Sequence, residues 1–173
     1  NGMIDAFKLK LARQIEVQNV LPVCVMLEDP DDPRIRPDPL VGDVKEEDLV
    51  PRRFDLIISH LVLHHIPSLQ SLFSTMLGCL KSGGSIALTD FEDFGPEARK
   101  FHPEARMNGV ERHGIRRDSV RELLMEAGFM DVVIETAFEI EKGIETNPGE
   151  GIVPGESGSR MTFPFLICMA RKS

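Results

Sequence analysis

The sequence predicts an α/β domain with a mainly parallel sheet that a C-terminal antiparallel strand pair closes. Short apolar runs alternate with segments whose apolar residues recur at helical spacing, as in βαβ units. The last two predicted strands have no helix between them, so they pair as a hairpin. A chain of 173 residues with 42% hydrophobic content is enough for one core. We therefore expect residues 1–173 to form a single domain.

The first third of the chain contains one predicted helix, one strand and one insertion. The helix has an apolar stripe at three- and four-residue spacing, formed by Met3, Ile4, Phe7, Leu11 and Ile15. The almost wholly apolar residues 20–27 predict a strand that is covered on both faces. Residues 30–52 are rich in Pro, Asp, Arg and Glu, which indicates a solvated insertion.

The remaining elements follow in order. Residues 54–59 predict a buried strand, residues 69–80 a helix that Gly83 and Gly84 end, and residues 85–89 a second buried strand. Residues 95–117 form a long polar connection of the kind that acts as a lid or is disordered. Ser119 opens a capping box for a short helix that Gly128 ends. Residues 132–140 and 161–170 predict the last two strands, separated by a mobile loop over residues 141–160.

The composition and net charge of the chain argue against some classes of partner and indicate in which compartment the protein works. A net charge of −8 and a pI near 5.1 argue against nucleic acid, which would meet a like-charged surface. The chain has neither an apolar run of membrane-spanning length nor a signal-peptide pattern. Cys24, Cys79 and Cys168 lie in apolar segments without metal-ligand spacing, so we expect buried thiols. These features favour a soluble, cytoplasmic protein.

Several stretches occur together in a familiar order: FDLIIS at 54–59, LVLHHI at 61–66, LGCLKSGG at 77–84, SIALTD at 85–90 and AGF at 127–129. Together they resemble the class I S-adenosylmethionine-dependent methyltransferases, most closely the branch related to quinone-biosynthesis enzymes. The resemblance implies a Rossmann-like doubly wound sheet, S-adenosylmethionine as cofactor and a small-molecule methyl acceptor. The family's first two strands, with the glycine-rich turn, would precede Asn1, so we expect an N-terminally truncated domain. Its exposed sheet edge would favour a homo-oligomer.

The resemblance also implies which residues bind the cofactor. The helix that begins at Met3 and Ile4 would pack near adenine, and Glu28 or Asp29 would accept from the adenine amino group, with Asp43 as a competing candidate. The carboxyl ends of parallel strands form the ligand-binding edge of such sheets. Backbone groups at the end of the strand over residues 54–59 would therefore face the methyl-bearing sulfonium, and these belong to Ser59, His60 and Leu61.

Two adjacent histidines, His64 and His65, follow that strand. Methyl transfer from a sulfonium needs an aligned acceptor and, for some acceptors, a base, and a histidine suits that second task. We predict that His64 or His65 is the base or a positioning group, although their rings could also simply pack. Adjacent residues without a third ligand at zinc spacing predict no metal site. Weaker candidates for substrate or lid contacts are Asp90, Phe91, Glu92, His102 and His113.

Two other classes of function compete with this prediction. The absent glycine-rich turn would also fit a catalytically silent methyltransferase-like module that binds a protein partner. A dinucleotide oxidoreductase is disfavoured by the same absence. The sequence leaves open the acceptor molecule and the acceptor atom.

Overall fold

A computed structural model describes residues 5–6, 9–10, 23, 25–35, 51–145, 147, 149 and 159–173. Its contacts divide the chain into two compact units, residues 1–53 and residues 54–173. The prediction of one domain over residues 1–173 therefore stays a prediction. Most of the predicted insertion over residues 30–52 and of the predicted loop over residues 141–160 lies outside the described residues.

In the first unit, the predicted helix is confirmed and the predicted strand is wrong where the structure describes it. Its described residues between 5 and 10 are helical, as the apolar stripe predicts. The predicted strand over residues 20–27 is wrong where it is described, because Val23 and residues 25–27 have no strand pairing. A strand needs a neighbour for its backbone hydrogen bonds, and apolar composition alone does not supply one.

The second unit contains a four-stranded mixed sheet. Its strands are β1 (Phe54–His60), β2 (Leu80–Phe91), β3 (Met130–Gly143) and β4 (Arg160–Arg171), in the spatial order β1-β2-β4-β3. Strands β1 and β2 are parallel, and the other two pairings are antiparallel. The α/β class and the closing antiparallel pair are confirmed. Among the described strands the parallel share is smaller than predicted, and β2, β3 and β4 extend beyond their predicted bounds.

Helix α1 (Leu69–Cys79) ends earlier than the glycine pair predicts. The Ser68 side chain caps its start by accepting from the backbone N–H of Ser71 at 3.2 Å. The helix ends at Cys79, because Leu80 is already extended and begins β2. A Cβ on Gly84 would lie 2.9 Å from the Phe54 carbonyl oxygen, so this glycine permits the close approach of β1 to β2.

Helix α2 (Arg117–Glu126) begins before the predicted start at Ser119 and ends, as predicted, just before Gly128. Ser119 lies within its first turn, and the N-cap residue Arg116 makes no side-chain capping bond, so the predicted capping box is wrong. The helix closes at Ala127, and Gly128 follows with a φ of 100°, in the left-handed region that favours glycine.

The core of the second unit lies between the helices and the sheet. It includes an aromatic cluster at the end of β2 and near the beginning of β4. Phe91, Phe163 and Phe165 are fully buried there and pack against Phe101. Cys79 and Cys168 are buried as predicted, whereas Cys24 lies outside the described residues. No helix in the described part of the chain is long and apolar enough to cross a membrane.

Candidate functional site

The candidate site lies where β1 and β2 end. These strands are parallel and in register up to the pair His60 and Thr89, so the chain leaves both strands at the same edge. A short 3-10 turn, Leu63–His65, follows β1, and Asp90 and Phe91 are the last residues of β2. The fold thus brings together side chains that lie 26 residues apart in sequence.

A buried acid–imidazole pair forms the centre of this edge. His64 Nδ1 lies 2.8 Å from Asp90 Oδ1 and 3.0 Å from Oδ2. The backbone N–H of His64 donates to Oδ2 at 3.0 Å, and that of Phe91 donates to Oδ1 at 2.8 Å. The two side chains are 2% and 0% exposed. Every acceptor contact of this carboxylate therefore helps to fix the position of the His64 ring.

The pairing also assigns the two ring nitrogens of His64. Asp90 accepts, so the neutral ring carries its proton on Nδ1 and its lone pair on Nε2. His64 Nε2 is buried and has no hydrogen-bond partner among the described residues. A ring that is oriented by a carboxylate and has its second nitrogen free is suited to accept a proton.

Two further histidines contact His64, and we name His64, His65 and His102 the histidine cluster. The ring centroids of His65 and His102 lie 4.0 and 5.1 Å from that of His64. His65 is exposed, and its Nδ1 donates to the Gly109 carbonyl oxygen at 2.6 Å. The structure thus unites three predicted site residues, whereas His113 lies outside the cluster.

The electrostatics of the cluster keep His102 neutral. The pKa of His102 is lowered from 6.5 to about 4, mainly by burial and also by the neighbouring His64, Lys142 and His65, while Asp90 acts in the opposite direction. Its Nδ1 is buried without a partner among the described residues. At neutral pH this ring therefore presents uncharged surface to His64.

Aromatic rings surround the cluster on the side of β2. Phe91 meets His64 edge-on with centroids 5.1 Å apart, and Phe101 stacks on Phe91 at 4.2 Å. Lys142 Nζ lies 4.2 Å from the centre of the Phe101 ring, and burial, followed by Arg106, lowers the pKa of this lysine. Phe91 was among the predicted site residues, and the structure places it against His64.

Glu92, another predicted contact residue, is engaged elsewhere. Its carboxylate accepts from Arg117 Nε at 2.6 Å and from Nη2 at 2.9 Å. These hydrogen bonds raise the pKa of Arg117. The bidentate pair joins the end of β2 to the first turn of α2, away from the histidine cluster.

The three residues predicted to face the sulfonium lie at the end of β1. His60 is exposed, and its Nδ1 lies 2.6 Å from Thr89 Oγ1. Ser59 O accepts from the same hydroxyl at 3.5 Å. Leu61 has a φ of 55°, which a bulky residue rarely adopts, and its N–H donates to Thr89 O at 2.9 Å. Such strain is often found where the backbone serves a function.

The other predicted cofactor residues belong to the first unit or lie outside the described residues. Met3, Ile4 and Asp43 lie outside the described residues. Glu28 and Asp29 belong to the first unit, where Asp29 Oδ1 accepts from the Asp31 N–H at 2.8 Å. Their roles stay predictions. In the described part of the chain no group of three His, Cys, Asp or Glu side chains could hold a metal ion.

A cavity of about 410 Å³ lies between the first turns of α1 and α2, bounded by Ser68, Asp93, Arg116 and Ser119 among others. None of the predicted site residues lines it. We place the candidate site at the histidine cluster instead, because the buried acid–imidazole pair lies there.

Comparison with known proteins identifies the family. The model described as "Methyltransferase domain" matches residues 10–133, which is more than half of the chain. The chain belongs to the methyltransferase domain family. This match confirms the resemblance to methyltransferases that the sequence shows. The assignment to the quinone-biosynthesis branch stays a prediction.

Two curated relatives of the methyltransferase domain are "Phosphoethanolamine N-methyltransferase 1" and "Phosphoethanolamine N-methyltransferase" from Triticum aestivum. Each is 28% identical over 96 residues, a match that covers 55% of this chain and 19% of the relative. The match thus spans about a fifth of the length of these relatives.

Similar solved structures include a SAM-dependent methyltransferase from Archaeoglobus fulgidus, with a TM-score of 0.48 and 14% identity over 70% of this chain and 60% of that one. Another is phosphoethanolamine N-methyltransferase 2 from Haemonchus contortus in complex with S-adenosyl-L-methionine. It has a TM-score of 0.46 and 16% identity over 69% of this chain and 33% of that one.

Two features of the site were missed by sequence reasoning. The pairing of His64 with Asp90 could have been found, because His64 follows β1 closely and Asp90 lies at the end of β2, the parallel neighbour of β1. The contacts of Arg112 with the His64 turn have no sequence signal, because their acceptors are backbone carbonyl groups.

Proposed function

We propose that this protein is an S-adenosylmethionine-dependent methyltransferase for a small-molecule acceptor, in which His64 removes the acceptor's proton. The observation that carries the proposal is the buried His64–Asp90 pair with the Nε2 atom of His64 unpartnered. Membership of the methyltransferase domain family supports the reaction class.

The chemistry follows from this pair. Bound S-adenosylmethionine would supply the methyl group to the acceptor's lone pair, and its sulfur would leave as the thioether of S-adenosylhomocysteine. The acceptor's proton passes to His64 Nε2. Asp90 then stabilises the imidazolium through the Nδ1 hydrogen bond without taking the proton itself.

Between the two adjacent histidines, the geometry favours His64. The Nδ1 atom of His65 donates to a neutral carbonyl oxygen, and the side chain is exposed to solvent. Only His64 has the buried carboxylate that offsets a positive charge on its ring. In this proposal His65 packs beside the base and is not itself the base.

The cofactor would lie at the end of β1, next to Ser59, His60 and Leu61. The acceptor class is suggested by the names of the two wheat relatives, which methylate nitrogen in phosphoethanolamine by those names. An ammonium group has no free lone pair until it loses a proton. A site with a buried base suits such an acceptor.

The first test is cofactor binding, measured by calorimetric titration of S-adenosylhomocysteine into the protein. Turnover is then followed with methyl-labelled S-adenosylmethionine and phosphoethanolamine as the probe acceptor. We expect His64→Gln to lower kcat by about a hundredfold or more while cofactor affinity changes less than about threefold. The matched control is His65→Gln, for which we expect a smaller loss.

Two results would contradict the proposal. One is a folded protein that binds neither S-adenosylmethionine nor S-adenosylhomocysteine, which would favour the silent interaction module. The other is a His64→Gln variant that turns over as fast as the parent, which would remove His64 from the mechanism.

A further inference from the structure

We infer that Arg112 is a positioning residue that fixes the orientation of His64. The base role of His64 rests on the proposed function, but the contacts of Arg112 do not. Its guanidinium donates hydrogen bonds to backbone carbonyl groups in and next to the turn that carries the two histidines. Arg112 therefore acts on the reaction through His64.

The Arg112 side chain donates to three carbonyl groups of this turn. Its Nη1 lies 2.5 Å from Leu63 O and 2.6 Å from Ile66 O, and its Nη2 lies 3.0 Å from Pro67 O. In this single 3-10 turn Leu63 O also accepts from the Ile66 N–H, whereas the carbonyl groups of Ile66 and Pro67 lie beyond the turn and need partners from elsewhere. The guanidinium supplies those partners from a segment more than 40 residues later in the chain.

The backbone around Arg112 completes the attachment. The N–H groups of Glu111 and Arg112 both donate to His64 O, at 3.0 and 3.2 Å. Gly109 O accepts from His65 Nδ1 at 2.6 Å. Residues 109–112 therefore make a hydrogen bond to each of the five consecutive residues 63–67.

Two independent attachments consequently hold His64. Asp90 fixes its ring and its backbone N–H, whereas residues 111 and 112 fix its carbonyl oxygen. A base must be held close to its productive position, because small displacements reduce the rate strongly. Without the guanidinium, the carbonyl groups of Leu63, Ile66 and Pro67 would lose this donor, and the backbone on both sides of His64 would be held less tightly.

The planar fork of arginine is essential to this role. A guanidinium presents five N–H donors in fixed directions and can therefore serve three separated carbonyl groups at once. A lysine ammonium on a flexible stem would serve fewer of them. We expect Arg112→Lys to be intermediate and Arg112→Met to lose the attachment of the side chain completely.

The test measures His64 directly and needs neither cofactor nor acceptor. Nitrogen-15 NMR reports the protonation pattern of the His64 ring, and hydrogen exchange reports how often the Nδ1 proton leaves its bond to Asp90. We expect Arg112→Met to raise that exchange rate about tenfold to a hundredfold, as for the loss of a charged hydrogen bond, and Arg112→Lys to raise it less.

Arg121→Met is the matched control, because Arg121 Nη1 also donates to a backbone carbonyl oxygen, that of Val132 at 2.7 Å, outside the turn. The control should leave His64 exchange as in the parent. A folded Arg112→Met variant with unchanged His64 exchange would overturn the inference. If that variant does not fold by circular dichroism, Arg112→Lys decides by the same measurement.

Failure of the proposed function would be seen separately. A protein that binds no S-adenosylhomocysteine, but whose His64 exchange rises in Arg112→Met, would retain the positioning role and lose the proposed reaction. A protein that methylates phosphoethanolamine, but whose His64 exchange is unchanged in Arg112→Met, would retain the proposed reaction and lose the positioning role. In an active enzyme, Arg112→Met should lower kcat while cofactor affinity stays within about threefold.

Discussion

Asp90→Asn is the substitution that tests the candidate site most directly, because it keeps shape and removes charge. Both carboxylate oxygens of Asp90 accept: Oδ1 from the Phe91 N–H and the His64 ring, and Oδ2 from the His64 N–H and the same ring. An amide has one oxygen and one NH₂ group. Whichever way the amide is turned, one backbone N–H faces a second donor.

The expected cost follows from this count. Leaving one buried N–H without an acceptor costs about 1–3 kcal/mol, and the remaining bonds lose their charge assistance. The free energy of unfolding should therefore fall by about 2–5 kcal/mol. For a chain of this size that corresponds to a decrease in Tm of about 5–15 °C. An amide NH₂ turned toward Nδ1 would also move the His64 proton to Nε2, so turnover should fall about a hundredfold to ten-thousandfold.

The measurements are thermal unfolding by circular dichroism and initial rates of methyl transfer to phosphoethanolamine. The control is Asp93→Asn, the same exchange three residues away, at a carboxylate that accepts from the Gly95 N–H at 3.1 Å. We expect this control to change Tm by less than about 3 °C. If Asp90→Asn unfolds at the same temperature as Asp93→Asn, the buried pair does not exist as described, and the role of His64 as base fails with it.

Three further predictions concern other positions. Gly114→Ala should lower the free energy of unfolding by about 2–5 kcal/mol in chemical denaturation, because a Cβ would lie 2.7 Å from the Asp93 backbone nitrogen. The control is Gly109→Ala, where φ is also positive but the space is open, and we expect it to cost only about 1 kcal/mol. Equal costs for the two variants would refute the steric argument. The lowered pKa of His102 means that the unfolded chain binds a proton more readily, so stability should decrease as pH falls from 6.5 to about 4. The Tm of His102→Gln should decrease less over that window, and an unchanged pH profile would count against the shift. Cys168, whose pKa burial raises to about 12, should resist alkylation in the folded protein and react only after unfolding, as mass spectrometry would show.

The fold of the second unit could be predicted largely from sequence because its signals are local. The apolar run before Ser59 and the helical spacing after Ser68 each specify one element, and the lack of a helix before β4 specifies the hairpin. The errors occurred where tertiary contacts override local signals. Gly84 resembles a helix end but permits the approach of two strands, and the run over residues 20–27 resembles a strand but has no pairing where it is described.

The candidate site was only partly predictable for a similar reason. The order of motifs identified the ends of β1 and β2 as the important edge, and His64, Asp90 and His102 were all among the candidates. Sequence could not rank His64 above His65, because the ranking depends on which ring is buried against a carboxylate. It could not identify Arg112 either, because backbone carbonyl groups are present at every residue and leave no mark in the sequence.

The neighbouring groups oppose a charge on His102 when His64 has accepted a proton. A charge on His64 is offset by the carboxylate of Asp90 at 2.8 Å, whereas His102 is half-buried and lies close to both His64 and Lys142. The same neighbours that lower the pKa of His102 would oppose a second charge once His64 has accepted a proton. In the proposed reaction, a proton taken by His64 would therefore not pass on to His102.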